Sequence, residues 1–149
     1  MIKVIILDST PVGLITNPKA SILAKDCQKW FNTLFERGYE VILSEIVDYE
    51  IRRELLRANK ISGIKKLNQL KSELIYLPIT TEVMLKAADL WAKARQKGKP
   101  TADNKALDGD VILAAQALLL KDNKYEVIIA TSNTKHLSIF VDAREWQDI

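Results

Sequence analysis

The chain has 149 residues, 48% of them hydrophobic, and 22 Lys and Arg against 19 Asp and Glu give a formal charge of +3. That length supports one substantial core and is short for two, so residues 1–149 are expected to form a single domain. The small positive excess does not by itself declare nucleic-acid binding, and no stretch reaches the roughly 20 apolar residues of a membrane helix.

The first residues lack a signal-peptide pattern, so a soluble, cytoplasmic protein with no membrane partner is expected. The lone cysteine, Cys27, has no disulfide partner in the chain and reads as a buried structural thiol.

In chain order, Ile2 to Leu7 is a mostly β-branched run that reads as a buried central strand, with Asp8-Ser9-Thr10-Pro11 as the turn after it. Lys19 to Arg37 places Ile22, Leu23, Asp26, Trp30 and Leu34 on a helical period, and Gly38 ends it. A strand at about Glu40 to Leu43 leads to Ser44, an N-cap for a helix from Glu45 to Ala58 whose apolar stripe is Val47, Ile51, Leu55 and Ala58. Glu50 and Glu54 fall on one flank of that stripe rather than on its solvent side.

A helix from Ile61 to about Glu73 precedes a short strand, Leu74 to Leu77, ended by Pro78. Thr80 or Thr81 caps the next helix, which runs to about Lys97 with Val83, Ala87, Leu90, Trp91 and Ala94 inward, and Gly98-Lys99-Pro100 breaks it. Thr101 to Leu107 is polar and turn-rich, and Asp108 to Lys121 is a helix apolar on most of its circumference, hence central. Tyr125 to Thr131 is a buried strand, Ser132-Asn133-Thr134 a loop, and Phe140 to Ala143 a final edge strand before Trp146. Trp30, Trp91 and Trp146 read as core or interface residues, and His136 as a loop or packing residue. The alternation predicts an α/β fold with a mostly parallel sheet between helical layers.

Asp8, Glu50 and Asp110 stand at strand ends or on helix flanks, and a parallel sheet gathers its strand carboxyl ends at one edge. Carboxylates crowded there repel one another and resist ionisation unless a cation neutralises them, so the pattern points to Mg2+ or Mn2+ and to metal-assisted phosphodiester hydrolysis. Basic residues between Arg52 and Lys71, with Arg52, Arg53, Arg57 and Lys60 foremost, and between Lys93 and Lys99 fit a track for nucleic-acid phosphates, and equally a solvated helix face. Asp108 reads as the cap of its helix, leaving Asp110 for the metal, and Glu54 is the alternative to Glu50.

Four strings carry a resemblance: Ile-Leu-Asp-Ser-Thr at residues 6–10, Tyr-Glu-Ile-Arg-Arg-Glu-Leu at 49–55, Gly-Asp-Val-Ile-Leu-Ala-Ala-Gln-Ala at 109–117 and Ala-Thr-Ser-Asn-Thr-Lys-His-Leu at 130–137. In this order and spacing they resemble a PIN domain over essentially the whole chain. The resemblance implies a PIN-like three-layer sandwich and a Mg2+- or Mn2+-dependent endoribonuclease, the VapC-type toxin of a toxin–antitoxin pair. It implies Asp8, Glu50 and Asp110 as catalytic metal ligands, a cognate antitoxin and a homodimer, for which exposed apolar residues on the Ile61 to Leu74 helix are the expected surface. Ser9, Thr10 and Thr131 would orient the ligands.

The fourth ligand position is Asn133 where the family commonly has Asp, which removes one charge; Asp108 or Asp103 could supply the missing carboxylate. The alternative function is a catalytically weak or inactive PIN-like module that binds RNA or protein. Phosphotransfer folds with a nucleophilic Asp are disfavoured, because the residue two after Asp8 is Thr10 and no receiver-type acidic pair or Lys is evident.

Overall fold

The structure is a computed structural model that describes all residues except 18, 20 and 98–103, and all side chains of the rest except those of 104–107. Five parallel strands form one sheet in the order β3-β2-β1-β4-β5: β1 Lys3–Leu7, β2 Glu40–Ser44, β3 Ile75–Leu77, β4 Glu126–Thr131 and β5 Ala143–Glu145. Val4 to Leu7 of β1 are almost wholly inaccessible to water, as a strand covered on both faces requires.

Between strands run helices α1 Ser9–Thr16, α2 Ile22–Glu36, α3 Glu45–Arg57, α4 Ile61–Glu73, α5 Thr81–Gln96, α6 Asn104–Asp122 and α7 Thr134–Leu137, with a 3-10 turn at Trp146–Asp148. The chain steps one way across the sheet from β1 to β3, then returns past β1 to β4 and β5. Right-handed crossovers therefore put α1 to α4 on one face and α5 to α7 on the other. The reversal leaves a crevice at the carboxyl ends of β1 and β4, where open α/β sheets bind ligands.

Two apolar clusters fill the layers. The larger joins the sheet to Val12 and Ile15 of α1, Cys27, Trp30, Phe31 and Leu34 of α2, and Leu67 and Leu70 of α4. The smaller joins Val83, Ala87 and Leu90 of α5 to Val111, Ile112, Ala114 and Ala115 of α6. Cys27 lies in the larger cluster, where burial pushes its thiol pKa up to about 12, so it is an inert packing group at neutral pH.

Several elements differ from the sequence reading. The turn expected after β1 is helix α1: the Asp8 side chain accepts from Ser9 N–H at 2.7 Å as an N-cap, and Pro11 sits in the first turn, where no N–H is needed for helix bonding. The inward face of α2 runs through Ala24, Cys27, Trp30, Phe31 and Leu34, so Ile22 and Leu23 point to solvent.

Helix α6 already includes Asn104, so Asp108 is an exposed residue within the helix and not its cap. Lys99, Asp103 and the break at residues 98–100 lie outside the described residues. The run Phe140 to Ala143 does not form the edge strand. The chain turns there through Val141 N–H to Leu137 carbonyl, and β5 begins at Ala143, where backbone pairing rather than apolar content decides the strand.

Helix α4 turns Leu67 and Leu70 inward, with Leu74 buried just beyond it, and keeps Ile61 as its one large exposed apolar residue, so the exposed apolar surface expected on this helix shrinks to that residue. Trp91 is 40% exposed on α5 rather than inward.

One buried polar knot ties the far layer to the sheet. Gln116 of α6 accepts from the Ser44 hydroxyl and donates through Nε2 to the carbonyls of Leu77 and Pro78 at 3.1 and 3.2 Å. These bonds fasten α6 over the carboxyl ends of β2 and β3. Gln116→Ala strands a buried hydroxyl and two carbonyls, and is expected to lower the unfolding free energy by about 2–3 kcal/mol in urea titration, against under about 1 kcal/mol for an exposed polar residue such as Gln28→Ala.

Candidate functional site

Asp8 caps α1 from the end of β1 and is 9% exposed. Its backbone N–H continues the β1–β4 ladder to the Ala130 carbonyl at 2.9 Å. Its Oδ1 accepts from Ser9 N–H, and its Oδ2 accepts from the Thr131 hydroxyl at 2.7 Å. Thr131 in turn receives the Asn133 N–H at 2.8 Å, and the hydroxyls of Thr10 and Ser132 bond to each other at 2.7 Å. These bonds lock the ends of β1 and β4 together and hold the Asp8 carboxylate in one orientation while leaving lone pairs for a further partner.

Glu50 comes from α3 and Asp110 from α6, each partly buried. Burial raises the Asp110 pKa to about 7, with the charges of Asp8 and Glu50 adding to it. Burial also raises the Glu50 pKa, with the charge of Asp8 opposing ionisation and that of Arg53 favouring it. The three acids therefore act on one another, although among the described residues no three His, Cys, Asp or Glu side chains lie close enough to clasp an ion as they stand. Like charges held in a half-buried crevice stay apart until something neutralises them.

Asn133 donates from Nδ2 to Asp110 Oδ2 at 3.4 Å, a contact that an Asp at this position would replace with repulsion. Asp108 is exposed, and nothing brings it to this group. Glu54 points away, paired with Arg57 at 2.9 Å on the solvent side of α3, so it does not join the acids as an alternative to Glu50. Among the basic candidates, Arg52 is held by Asp48 at 3.0 Å and by Asn68, and Arg57 by Glu54, so neither guanidinium is free to meet a phosphate without breaking a bond. Lys60 flanks a groove between α1 and the end of α3.

Gly109 was not singled out from the sequence. A Cβ there would stand 3.0 Å from Glu50 Oε1 and 3.3 Å from Oε2, so the bare backbone of α6 is what admits the Glu50 carboxylate beside Asp110. The available signal was a glycine inside an apolar helix, where it costs up to about 1 kcal/mol relative to Ala and calls for a packing reason.

The family described as PIN domain matches residues 5–139. No curated protein matches the chain. Among solved structures, the chain is similar to VapBC2 from Rickettsia felis bound to a DNA fragment from their promoter, with a TM-score of 0.72 and 17% identity over 96% of this chain and 98% of that one. It is also similar to FitAcB from Neisseria gonorrhoeae, with a TM-score of 0.70 and 20% identity over 97% and 99% of the two chains. VapBC-1 from nontypeable Haemophilus influenzae follows at 0.66 and 16%, over 97% and 98%. At these identities the structural likeness speaks to the fold alone.

The raised Asp110 pKa has a consequence for stability. Between about pH 4 and pH 7 the unfolded chain releases this proton while the folded site keeps it, so without divalent cations stability falls across that window and levels above it. Asp110→Asn is expected to melt higher than the parent at pH 8 in EDTA and to lose that advantage near pH 4; solvent screening at the half-open site holds the gain to on the order of 1–2 kcal/mol.

Proposed function

The chain belongs to the PIN domain family, and from that premise we propose that it is a metal-dependent endoribonuclease, the toxin half of a VapBC-type toxin–antitoxin pair. The observation that carries the reading is the convergence of Asp8, Glu50 and Asp110, from three separate elements, at the crevice where the sheet reverses direction, close enough for Asp8 to oppose the ionisation of the other two. Burying mutually repelling carboxylates costs stability, and a binding module with no use for a cation would gain nothing from keeping them.

The donor set is hard oxygen, which fits Mg2+ or Mn2+ rather than a softer metal. Asp8, Glu50 and Asp110 would hold the cation, with the Asn133 amide oxygen beside them if its side chain turns over. When bound, the cation supplies Lewis acidity toward the phosphate and makes water a competent nucleophile near neutral pH. The protein's own part is positional. Thr131 and the Ser9 N–H keep Asp8 from rotating, Gly109 lets Glu50 approach α6, and Asn133 steadies Asp110. No side chain is required as a nucleophile.

An antitoxin partner is proposed from the VapBC proteins named above. A homodimer, if formed, is better served by the exposed Met84, Leu85 and Trp91 of α5 than by α4. Among the described residues no helix is long and apolar enough to cross a membrane, and a cytoplasmic location remains part of the proposal.

Purified protein free of any partner is expected to cleave RNA in Mn2+ or Mg2+ and to stop in EDTA. Asp8→Asn and Asp110→Asn each lower the rate by roughly 100-fold or more. RNA bound equally well by all three versions and never cut would favour the inactive module. Gly109→Ala separates stability from function: helix propensity favours Ala by up to about 1 kcal/mol, so the variant melts no lower than the parent, yet the displaced Glu50 weakens Mn2+ affinity, read by calorimetry, by about tenfold.

A further inference from the structure

Helix α3 carries more than Glu50. At about 100° per residue, Arg53 lies about 40° around the helix from Tyr49 and Glu50 about 100° from it, so the guanidinium projects between the aromatic ring and the acid. Arg53 Cζ stands 5.1 Å from the centre of the Tyr49 ring, which is 57% exposed. Tyr49 also lines a groove with Glu45, Ile46, Asp48, Tyr76 and Ile79, located where β2 and β3 end, at the same edge of the sheet as the acids.

The charges in that groove are already matched. Asp48 accepts from Arg52 and from the Tyr76 hydroxyl at 2.9 Å, and Glu45 Oε1 accepts the Ile79 N–H at 2.9 Å. Arg53 differs. Arg52, Arg57, Lys93 and Arg144 each close an ion pair with a carboxylate, whereas Arg53 is exposed and lies over the Tyr49 ring beside Glu50. An exposed ring with apolar neighbours and an adjoining exposed guanidinium is the combination that holds single-stranded nucleic acid, base on ring and phosphate on cation.

We propose that Tyr49 and Arg53 form a substrate subsite in which a nucleobase of single-stranded RNA stacks on the Tyr49 ring in the groove over β2 and β3, while Arg53 holds the phosphate that leads toward the acidic site. The inference rests on the ribonuclease reading and deepens it by assigning the strand a path along α3. A duplex keeps its bases stacked inside and has none to lend to Tyr49.

The test uses a short unpaired oligoribonucleotide and its duplex, with cleavage measured in Mn2+ and binding measured separately in Asp8→Asn protein. Tyr49→Ala and Arg53→Ala each raise KM for the single strand, and weaken binding in the Asp8→Asn background, on the order of tenfold. In Tyr49→Ala kcat stays within about twofold of the parent, because the ring takes no part in the chemical step. Tyr49→Phe and Arg53→Lys restore most of the affinity, and Lys121→Ala, a charge removed at the far end of α6, changes nothing. Arg53→Ala lowers the salt slope of binding by about 0.7 and Tyr49→Ala leaves it unaltered, a distinction that general unfolding does not produce.

Cleavage by the parent with unchanged KM in both variants overturns the subsite and leaves the ribonuclease standing. A parent that never cleaves overturns the ribonuclease, and the binding arm then judges the subsite alone. Loss of a co-purified protein partner by the two variants, with RNA binding intact, also overturns the subsite and assigns the surface to protein.

Discussion

The parallel pairing of β1 with β4 is the constraint on which the site depends. It aligns Leu7 with Ala130, so that the next residue on each strand, Asp8 and Thr131, meets across the crevice and forms the 2.7 Å carboxylate–hydroxyl bond. Residues 123 positions apart in sequence are thus held in one orientation by backbone register. A slip of one residue would put Asp8 and Thr131 on opposite faces of the sheet and break that bond.

Around this fixed pair the other acids arrive from opposite layers, and their arrival opposes stability. Glu50 stands on α3 and Asp110 on α6, and each meets the field of Asp8 in a partly dehydrated space. The fold meets that strain by fastening α6 elsewhere. Gln116 bonds to Ser44 and to the carbonyls of Leu77 and Pro78, and Ala114, Ala115 and Val111 pack against α5. Asn133 fits the same logic: an amide beside Asp110 donates a hydrogen bond where a carboxylate would add a further like charge, at the expense of a weaker hold on a cation.

The region around α3 shows how a run of cations in sequence separates into distinct roles in space. Arg52, Arg53 and Arg57 look alike as letters. Arg52 braces Asp48 against α4 through Asn68, Arg57 closes an exposed pair with Glu54, and Arg53 faces the acidic crevice over an exposed Tyr49. Exposed pairs such as Arg57 with Glu54 contribute little to stability, whereas the bond of Arg52 to buried Asp48 offsets a charge that would otherwise be costly.

The sequence by itself determined the α/β class, the central strand, most helices, the cap at Ser44 and the choice of Thr80 or Thr81 for another, settled as Thr80 in the structure, because these follow from local periodicity and short-range hydrogen bonding. It also marked Asp8, Glu50 and Asp110 as acids set near strand ends or on a helix flank. It failed where local signals conflict with packing. Asp-Ser-Thr-Pro reads as a turn, yet Val12 and Ile15 draw it into α1, and Phe140 to Ala143 reads as a strand although the chain turns there. Only the tertiary structure decided that Gly109 makes room for Glu50, that Asn133 bonds to Asp110, that Glu54 faces water and that Arg53 lies over the Tyr49 ring. Each of these is a contact or an absence of contact set by the three-dimensional arrangement of helices around the sheet, and periodicity along one chain carries no information about which flank a neighbouring element will cover.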